Sequence, residues 1–333
     1  MDAVITSSRE MIRKGSRSFA LASRLFDPAT RNHAWMLYAW CRHCDDEIDG
    51  QDLGMAPASA PQAGDTDKAA ILAHLRAETM RALAGEPVAE PAFQAIQRVA
   101  REHAIPERHV LELLAGFEMD VTDFRYRTFD DTLLYCYRVA GVVGVMMAQV
   151  MGVQDTRALQ RAADLGIAFQ LTNISRDVLD DARNGRCYLP ETWLAEASIR
   201  SGELADPANR PALAGLVERL LREADRYYQS ASLGLEALDF RSSWAVATAL
   251  AVYRDIGRVV RQRGVRAWDS RAVVGTPRKL VFLLGGAFRA LEATTWNRGQ
   301  GLAPRAADLW MAPDLQARRP GPTARMPRLS TSR

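Results

Sequence analysis

The sequence predicts an all-α protein, built as one helical bundle around a central apolar cavity. Apolar residues recur at intervals of three and four along most of the chain, as on the buried face of a helix. Runs that alternate apolar and polar residues, the pattern of a half-buried strand, are scarce. The 333 residues are 48% hydrophobic and show no repeat or compositional break, so we expect a single domain over residues 1–300.

Nine segments have helical spacing, and turn residues separate them. The longest interruption, Gln51–Asp67, is rich in Ala, Pro and Gly and is therefore predicted to be a loop. The predicted helices cover residues 30–49, 69–84, 91–103, 107–120, 130–152, 156–183, 211–236, 241–263 and 277–295.

The ends of the chain and its apolar runs indicate where the protein resides. Residues 301–333 are rich in Pro and Arg, with no acid after Asp314, so we expect a disordered tail from about Ala303. The longest apolar run, Val139–Val153, falls short of the roughly 17–25 residues of a spanning helix and predicts a buried core helix. The first twenty residues contain no apolar signal segment, which favours a cytoplasmic protein.

The most informative feature is a pair of acidic clusters inside predicted helices. The first forms a stripe at spacing i, i+4, i+7, i+11, and consists of Tyr38, Arg42, Asp45 and Asp49. The second forms a stripe at spacing i, i+3, i+7, i+11, and consists of Gln170, Asn173, Asp177 and Asp181. Apolar residues flank both stripes, so we expect both to face an interior cleft rather than solvent.

The chemistry of these stripes favours a hard metal ion. Carboxylates one helical turn apart repel each other, so two such sets on partly buried helices need a compensating cation. The candidate ligands are all oxygen donors, which suits Mg²⁺ or Mn²⁺ better than zinc. The alternative, solvated faces with ordinary helix salt bridges, explains one cluster well but two matched clusters poorly.

Several stretches, taken in order, resemble the squalene and phytoene synthase family up to about residue 295. The matching stretches are Ser16–Phe19, Tyr38–Asp49 with its Asp-Asp-x-x-Asp core, Tyr135–Gly144, Gln170–Asp181 and Gly185–Pro190. The segment Leu37–Asp46 is most similar to bacterial members that make phytoene.

The resemblance implies a role for each of the matching residues. The implied metal ligands are Asp45, Asp49, Asn173, Asp177 and Asp181. The residues implied to contact the diphosphate or the ionising carbon are Tyr38, Arg42, Gln170, Arg176 and Tyr253. Ser16 and Ser18 would belong to a loop over the site, and the ring of Tyr135 or Tyr38 would help to stabilise carbocations. The residues implied to be catalytic are Tyr38, Arg42, Asp45, Asp49, Asp177 and Asp181.

The reaction implied by the resemblance joins two geranylgeranyl diphosphates head to head, through a cyclopropyl diphosphate, to give phytoene, without NADPH. The alternatives are squalene or dehydrosqualene synthesis from farnesyl diphosphate, and head-to-tail prenyl synthesis, which the second acidic stripe disfavours. A di-iron oxidase is disfavoured because the chain contains no Glu-x-x-His pair. A non-enzymatic scaffold would leave two inward carboxylate stripes unexplained.

The expected partners are prenyl diphosphates and, peripherally, the inner face of a membrane. The net charge of +3 and the absence of a basic stripe argue against nucleic acid as a partner. The sequence leaves the oligomeric state open.

Overall fold

The computed structural model describes residues 2–15, 17–50, 65–295 and 301–315. Helices dominate these ranges and no β-strand occurs within them, so the predicted all-α class is confirmed. The helices are α1 (Ala3–Gly15), α2 (Arg17–Ala22), α3 (Pro28–Asp49), α4 (Asp65–Leu83), α5 (Pro91–Glu102), α6 (Glu107–Val121), α7 (Phe129–Cys136), α8 (Val142–Val150), α9 (Thr156–Arg183), α10 (Glu191–Glu196), α11 (Arg210–Ser232), α12 (Phe240–Arg263) and α13 (Thr276–Thr295).

Each of the nine predicted segments corresponds to helix in the structure, with ends displaced by a few residues. The segment 130–152 is divided by a π-helical turn, Tyr137–Gly141, which joins α7 to α8. Helices α1, α2 and α10 were not predicted from the sequence, and two of them, α2 and α10, are only six residues long.

Aspartate side chains fix the starts of three long helices. Asp27, Asp155 and Asp239 each accept hydrogen bonds from two backbone N–H groups in the first turn of α3, α9 and α12 respectively. These bonds satisfy donors that have no partner within the helix. Because α3 and α9 carry the two acidic stripes, the caps also fix where those stripes begin.

Helix α9 lies at the centre of the bundle, where it packs against α8, α11 and α12. The crossing with α8 and the π-helical turn is unusually close, because Gly144 faces the carbonyl of Ala162 and Gly166 faces the carbonyl of Ala140. A Cβ atom at either glycine would overlap the opposite backbone. These glycines therefore set the distance between the two helices.

The continuous stretch Phe129–Val150 is the one candidate for a membrane span among the described residues, judged by length and composition alone. Most of it is buried inside the protein, with Val142, Val145 and Met146 inaccessible to solvent. The prediction of a buried core helix in this region is confirmed.

The prediction of a disordered tail from about Ala303 is wrong for residues up to Leu315. Arg305 forms an ion pair of 2.6 Å with the buried Asp164, and Tyr137 donates a hydrogen bond of 2.6 Å to Asp314. Leu309 and Leu315 are buried in the main core. Residues 301–315, here called the strap, thus belong to the domain; the rest of the predicted tail, residues 316–333, lies outside the described residues.

Candidate active site

A cavity of about 640 Å³ lies between α3, α6, α8, α9 and α12. Three carboxyl groups line it, those of Asp45, Asp49 and Asp120, and the charges of Asp49 and Asp120 raise the proton affinity of Asp45. Most of the remaining wall is apolar, with Met147 and other side chains from α2, α8, α9 and α12, and with Phe26 from the connection between α2 and α3. A cavity with a charged region and a long apolar wall suits an amphiphilic ligand with an anionic head group.

Helix α3 presents its predicted stripe to this cavity. The residues of the stripe that line it are Tyr38, Arg42, Asp45 and Asp49. Arg42 bridges two acids, at 2.8 Å to Asp45 and 2.6 Å to Asp46, but Asp46 does not line the cavity. Burial raises the pKa of Tyr38 to about 12, so its phenol is neutral.

Helix α9 presents the N-terminal half of its predicted stripe to the same cavity. Gln170 and Asn173 line the cavity, whereas Asp177 and Asp181, one and two turns further on, are not among the lining residues. The Nδ2 of Asn173 donates to Gln170 over 3.2 Å, and its buried Oδ1 has no hydrogen-bond partner. An unpartnered buried carbonyl oxygen is costly, which makes this atom a candidate ligand for a cation or a donor.

Arginines pair with the acids of both helices. Arg186 forms an ion pair with Asp49, and Arg176 donates from Nε to Asp177 over 2.8 Å. Arg271, which precedes α13, lies 3.5 Å from Asp177. Guanidinium groups suit phosphate oxygens as well as carboxylates, so the same arginines could bind a diphosphate.

Burial and crowding leave three carboxyl groups with raised pKa values. Limited hydration, with nearby Asp49 and Asp46, raises the pKa of Asp45 to about 6 despite Arg42. Burial raises the pKa of Asp120 to about 6, and burial together with Asp177 raises that of Asp181 to about 7. A bound cation would relieve this crowding of negative charge.

Aromatic side chains complete the charged region. Tyr253 from α12 stacks on Phe169 from α9, with ring centroids 4.1 Å apart, and both line the cavity. Tyr135 from α7 lines it too, and its hydroxyl donates to Asp120 over 3.0 Å. These rings offer polarisable faces at which a carbocation can be stabilised.

Comparison with known proteins decides the family. The squalene/phytoene synthase family model matches residues 12–278, which is most of the chain. The chain belongs to the squalene/phytoene synthase family. It is 51% identical to the 15-cis-phytoene synthase of Enterobacter agglomerans, over 90% of this chain and 99% of that one. The 15-cis-phytoene synthase of Pantoea ananas is 49% identical over 93% of this chain and 98% of that one.

Solved structures of squalene/phytoene synthases share the fold. A dehydrosqualene synthase crystallised with a ligand superposes with a TM-score of 0.75 at 25% identity, covering 85% of this chain and 95% of the other. The squalene synthase of Alicyclobacillus acidocaldarius gives a TM-score of 0.68 at 21% identity, covering 78% and 94%. The helical isoprenoid-synthase bundle predicted from the sequence is confirmed.

Squalene/phytoene synthases use prenyl diphosphates and normally depend on a divalent metal. The residues of this chain fit such a metal, because the donors are all oxygens and Asn173 Oδ1 lacks a partner. Among the described residues, no three acidic, His or Cys side chains are grouped closely enough to bind one ion between them. Substrate phosphate oxygens and water would therefore supply the remaining ligands, as is usual for Mg²⁺.

Two predictions concern the segment just before α3: that Ser16 and Ser18 contact the substrate, and that they lie in a loop over the site. Ser16 and the side chain of Ser18 lie outside the described residues. The expectation of a loop there is wrong for Arg17–Ala22, which forms helix α2. Its Phe19 lines the cavity, with its ring centroid 5.6 Å from that of Tyr38, so this segment does close over the charged region.

Sequence reasoning missed three residues that line the site of this squalene/phytoene synthase. Asp120 is held by hydroxyl groups of Tyr135 and Tyr188, whose positions 15 and 68 residues away gave no local signal. Arg186 lay in a matching stretch, but its ion pair with Asp49 joins residues 137 apart in sequence. Lys279 lies on α13, far in the chain from both acidic stripes, and it lines the cavity.

Proposed function

We propose that this chain is a phytoene synthase that joins two geranylgeranyl diphosphates head to head and releases two diphosphates. The observation that carries the proposal is the juxtaposition of two oxygen-rich helices, α3 and α9, at one cavity with an otherwise apolar wall. The activity named for relatives at 48–51% identity supports the same assignment.

The proposed metal ligands are Asp45 and Asp49 on α3, with Asn173, Asp177 and Asp181 on α9. Bound Mg²⁺ or Mn²⁺ would neutralise diphosphate charge and so make diphosphate a better leaving group. The arginines now paired with these acids would turn to the phosphate oxygens when substrate binds. Arg42, Arg176 and Arg186 are each within reach because each already contacts a proposed ligand.

The residues of the chain would guide the reaction after the first C–O bond breaks. Tyr38, Tyr135 and Tyr253 would face the allylic cation while the double bond of the second substrate attacks it and a proton is lost, closing a cyclopropane. Departure of the second diphosphate, rearrangement of the ring and a further proton loss give phytoene. Released diphosphate serves as proton acceptor, and the apolar wall excludes water that would otherwise quench the cation.

Substrate binding would involve further residues on both sides of the cavity. Gln170 would contact diphosphate from α9, and Ser16 and Ser18 would do so from the segment before α3. We place the enzyme in the cytoplasm, with peripheral access to a membrane.

Product analysis tests this proposal. The protein is incubated with geranylgeranyl or farnesyl diphosphate, with Mg²⁺ or EDTA and with or without NADPH, and hydrocarbons are extracted. Phytoene from geranylgeranyl diphosphate, made without NADPH and abolished by EDTA, is the expected result.

The second candidate is dehydrosqualene or squalene synthesis, favoured by the similarity to the solved dehydrosqualene synthase. A C30 hydrocarbon from farnesyl diphosphate as the main product would support it and contradict the first proposal. Full turnover in excess EDTA would contradict the metal site of both.

A further inference from the structure

Exposed large hydrophobic side chains are concentrated on one helix. Ten such side chains occur in the described residues, and five of them lie on α13. Each of the five is between 48% and 65% exposed: Leu280, Val281, Leu284, Phe288 and Leu291. Val265 and Val273, which precede α13 in the chain, are exposed as well. We call the five side chains on α13 the apolar face.

The apolar face points away from the protein because the opposite side of α13 packs on α12. Leu280, Leu284 and Leu291 are spaced i, i+4 and i+11, so they share one side of α13. The opposite side is anchored on α12, where Gly286 lies against Thr248 and the indole of Trp244 donates to the carbonyl of Leu283 over 2.8 Å. The anchored helix thus leaves its apolar face exposed, and contiguous apolar patches of that kind mark interaction surfaces.

Charge around the apolar face identifies the kind of partner. Residues 264–295 contain five basic side chains and two acidic ones. Ion pairs with residues outside this range engage Asp269 (with Arg210), Arg278 (with Asp255) and Arg271 (with Asp177), which leaves the range net basic. Arg289 lies on α13 next to Phe288 in the chain, and it is exposed. A second copy of this chain would bring two basic rims together, and the basic residues 316–333 would likewise be repelled. An anionic lipid surface complements both the apolar residues and the charge.

We infer that α13 docks this protein on a bilayer containing anionic lipid, with the apolar face buried at the boundary between headgroups and acyl chains. The inner side of the same helix supplies Lys279 and Leu283 to the cavity wall. The docked helix thereby separates the cavity from the acyl layer by about 10–12 Å, the width of one helix. The biological reason for docking rests on the proposed function, because the substrate and product of that function carry long hydrocarbon chains. The evidence for docking itself does not depend on the proposed function.

Flotation with lipid vesicles tests this inference on the full-length chain. Wild type is mixed with vesicles of phosphatidylcholine containing phosphatidylglycerol, and the floating fraction is measured. Leu284→Gln with Phe288→Gln should lower the partition coefficient by about tenfold or more. Phe124→Gln, at an exposed aromatic residue far along the chain from α13, is the matched control and should float as wild type does.

Two further measurements test the alternatives to α13 as a lipid-binding surface: contact with a second copy of this chain, and lipid binding by residues 316–333. Sedimentation velocity without lipid asks whether the apolar face joins two copies; a dimer that the double variant dissociates would overturn the inference. A full-length variant with Arg318, Arg319, Arg325, Arg328 and Arg333 changed to Gln asks whether the last segment binds lipid instead. Loss of flotation in that variant, with flotation of the double variant unchanged, would overturn it too.

Turnover on detergent-dispersed substrate keeps the two proposals distinct. If the double variant fails to float but makes phytoene at the wild-type rate, both proposals stand. If wild type floats through α13 yet makes no phytoene, the docking surface stands and the proposed function fails. Flotation of the double variant equal to wild type, whatever its activity, contradicts the docking surface.

Discussion

At the scale of single residues, Asp45 and Asp46 are neighbours in the chain with different surroundings. Asp45 lines the cavity, whereas Asp46 points elsewhere and accepts a hydrogen bond of 2.6 Å from Arg42. Successive residues on a helix are separated by about 100°, which is why one acid of the pair reaches the cavity and the other supports an arginine.

Asp45→Asn should therefore lower kcat on the order of a hundredfold or more, because it removes a charge proposed to act on the leaving diphosphate. Asp46→Asn is the matched control, and should cost no more than about tenfold through weaker positioning of Arg42. Turnover is measured with radiolabelled geranylgeranyl diphosphate, and circular dichroism checks the helical content. A larger loss in Asp46→Asn than in Asp45→Asn would contradict the assigned helical face.

Asp120 should make the metal-free protein less stable as the pH rises from about 4 to about 6. Burial raises the pKa of Asp120 to about 6 in the folded protein, above its unfolded value. The folded state then binds more protons than the unfolded state in this interval, so the free energy of unfolding falls with rising pH.

Thermal unfolding in EDTA between pH 4 and pH 7 measures this dependence. The Tm difference between Asp120→Asn and wild type should shift in favour of the variant as the pH rises, and should level off above about 6. A difference that stays constant over the whole interval would show that Asp120 does not titrate there.

At the scale of elements, close helix crossings explain what the sequence alone left undecided. Small residues in an apolar helix, such as Gly141 and Gly144, are compatible from sequence alone either with space for substrate or with tight packing. The structure shows tight packing at Gly144, which also lines the cavity. The crossing partner on α9, Gly166, had no recognised role in the sequence.

Gly166→Ala should lower the free energy of unfolding by about 1–3 kcal/mol, because the added methyl group overlaps the backbone of Ala140. The matched control is Gly215→Ala on α11, where a Cβ atom meets nothing within 4 Å. That change should stabilise the protein by about 0.5–1 kcal/mol through helix propensity. Urea titration followed by circular dichroism measures both; equal effects of the two changes would contradict the close crossing.

Local patterns were enough to predict most elements, since the long helices carry strong apolar periodicity. The same periodicity gave the stripes on α3 and α9 and hence their helical phase. Asp120 and Arg186 could not be found in this way, because their partners arrive through tertiary contacts between distant segments. The strap was not predicted because the Pro- and Arg-rich composition of residues 301–333 as a whole outweighed a short apolar run around Leu309.

At the scale of the whole molecule, the strap fastens the last described segment of the chain to the central helix α9. Arg305 and Asp164 are 9% and 1% exposed, so their ion pair is shielded from solvent. Arg161, next to Asp164 on α9, lines the cavity and donates to the strap carbonyl of Ala303 over 2.5 Å. The strap therefore supports one wall of the cavity from behind.

Arg305→Leu should lower the free energy of unfolding by about 3–5 kcal/mol, because it leaves Asp164 buried without its cation. Arg226→Leu is the control, since Arg226 also pairs with the strap, at Asp308, but at an exposed position. Its cost should be about 0–1 kcal/mol. Chemical denaturation of both variants measures the difference, and similar midpoints would show that the strap is not held by the buried pair.

The π-helical turn Tyr137–Gly141 constrains how the gene for this chain can diverge. Removing one codon there would restore a regular α-helix, but would rotate the segment before it by about 100°. Tyr135 would then leave Asp120, and Thr132 would lose its hydrogen bond of 2.9 Å to the carbonyl of Tyr188. Proteins that descend from this chain and remain active should therefore keep the length of this stretch. Single-residue deletions should be absent from it, whereas substitutions can accumulate.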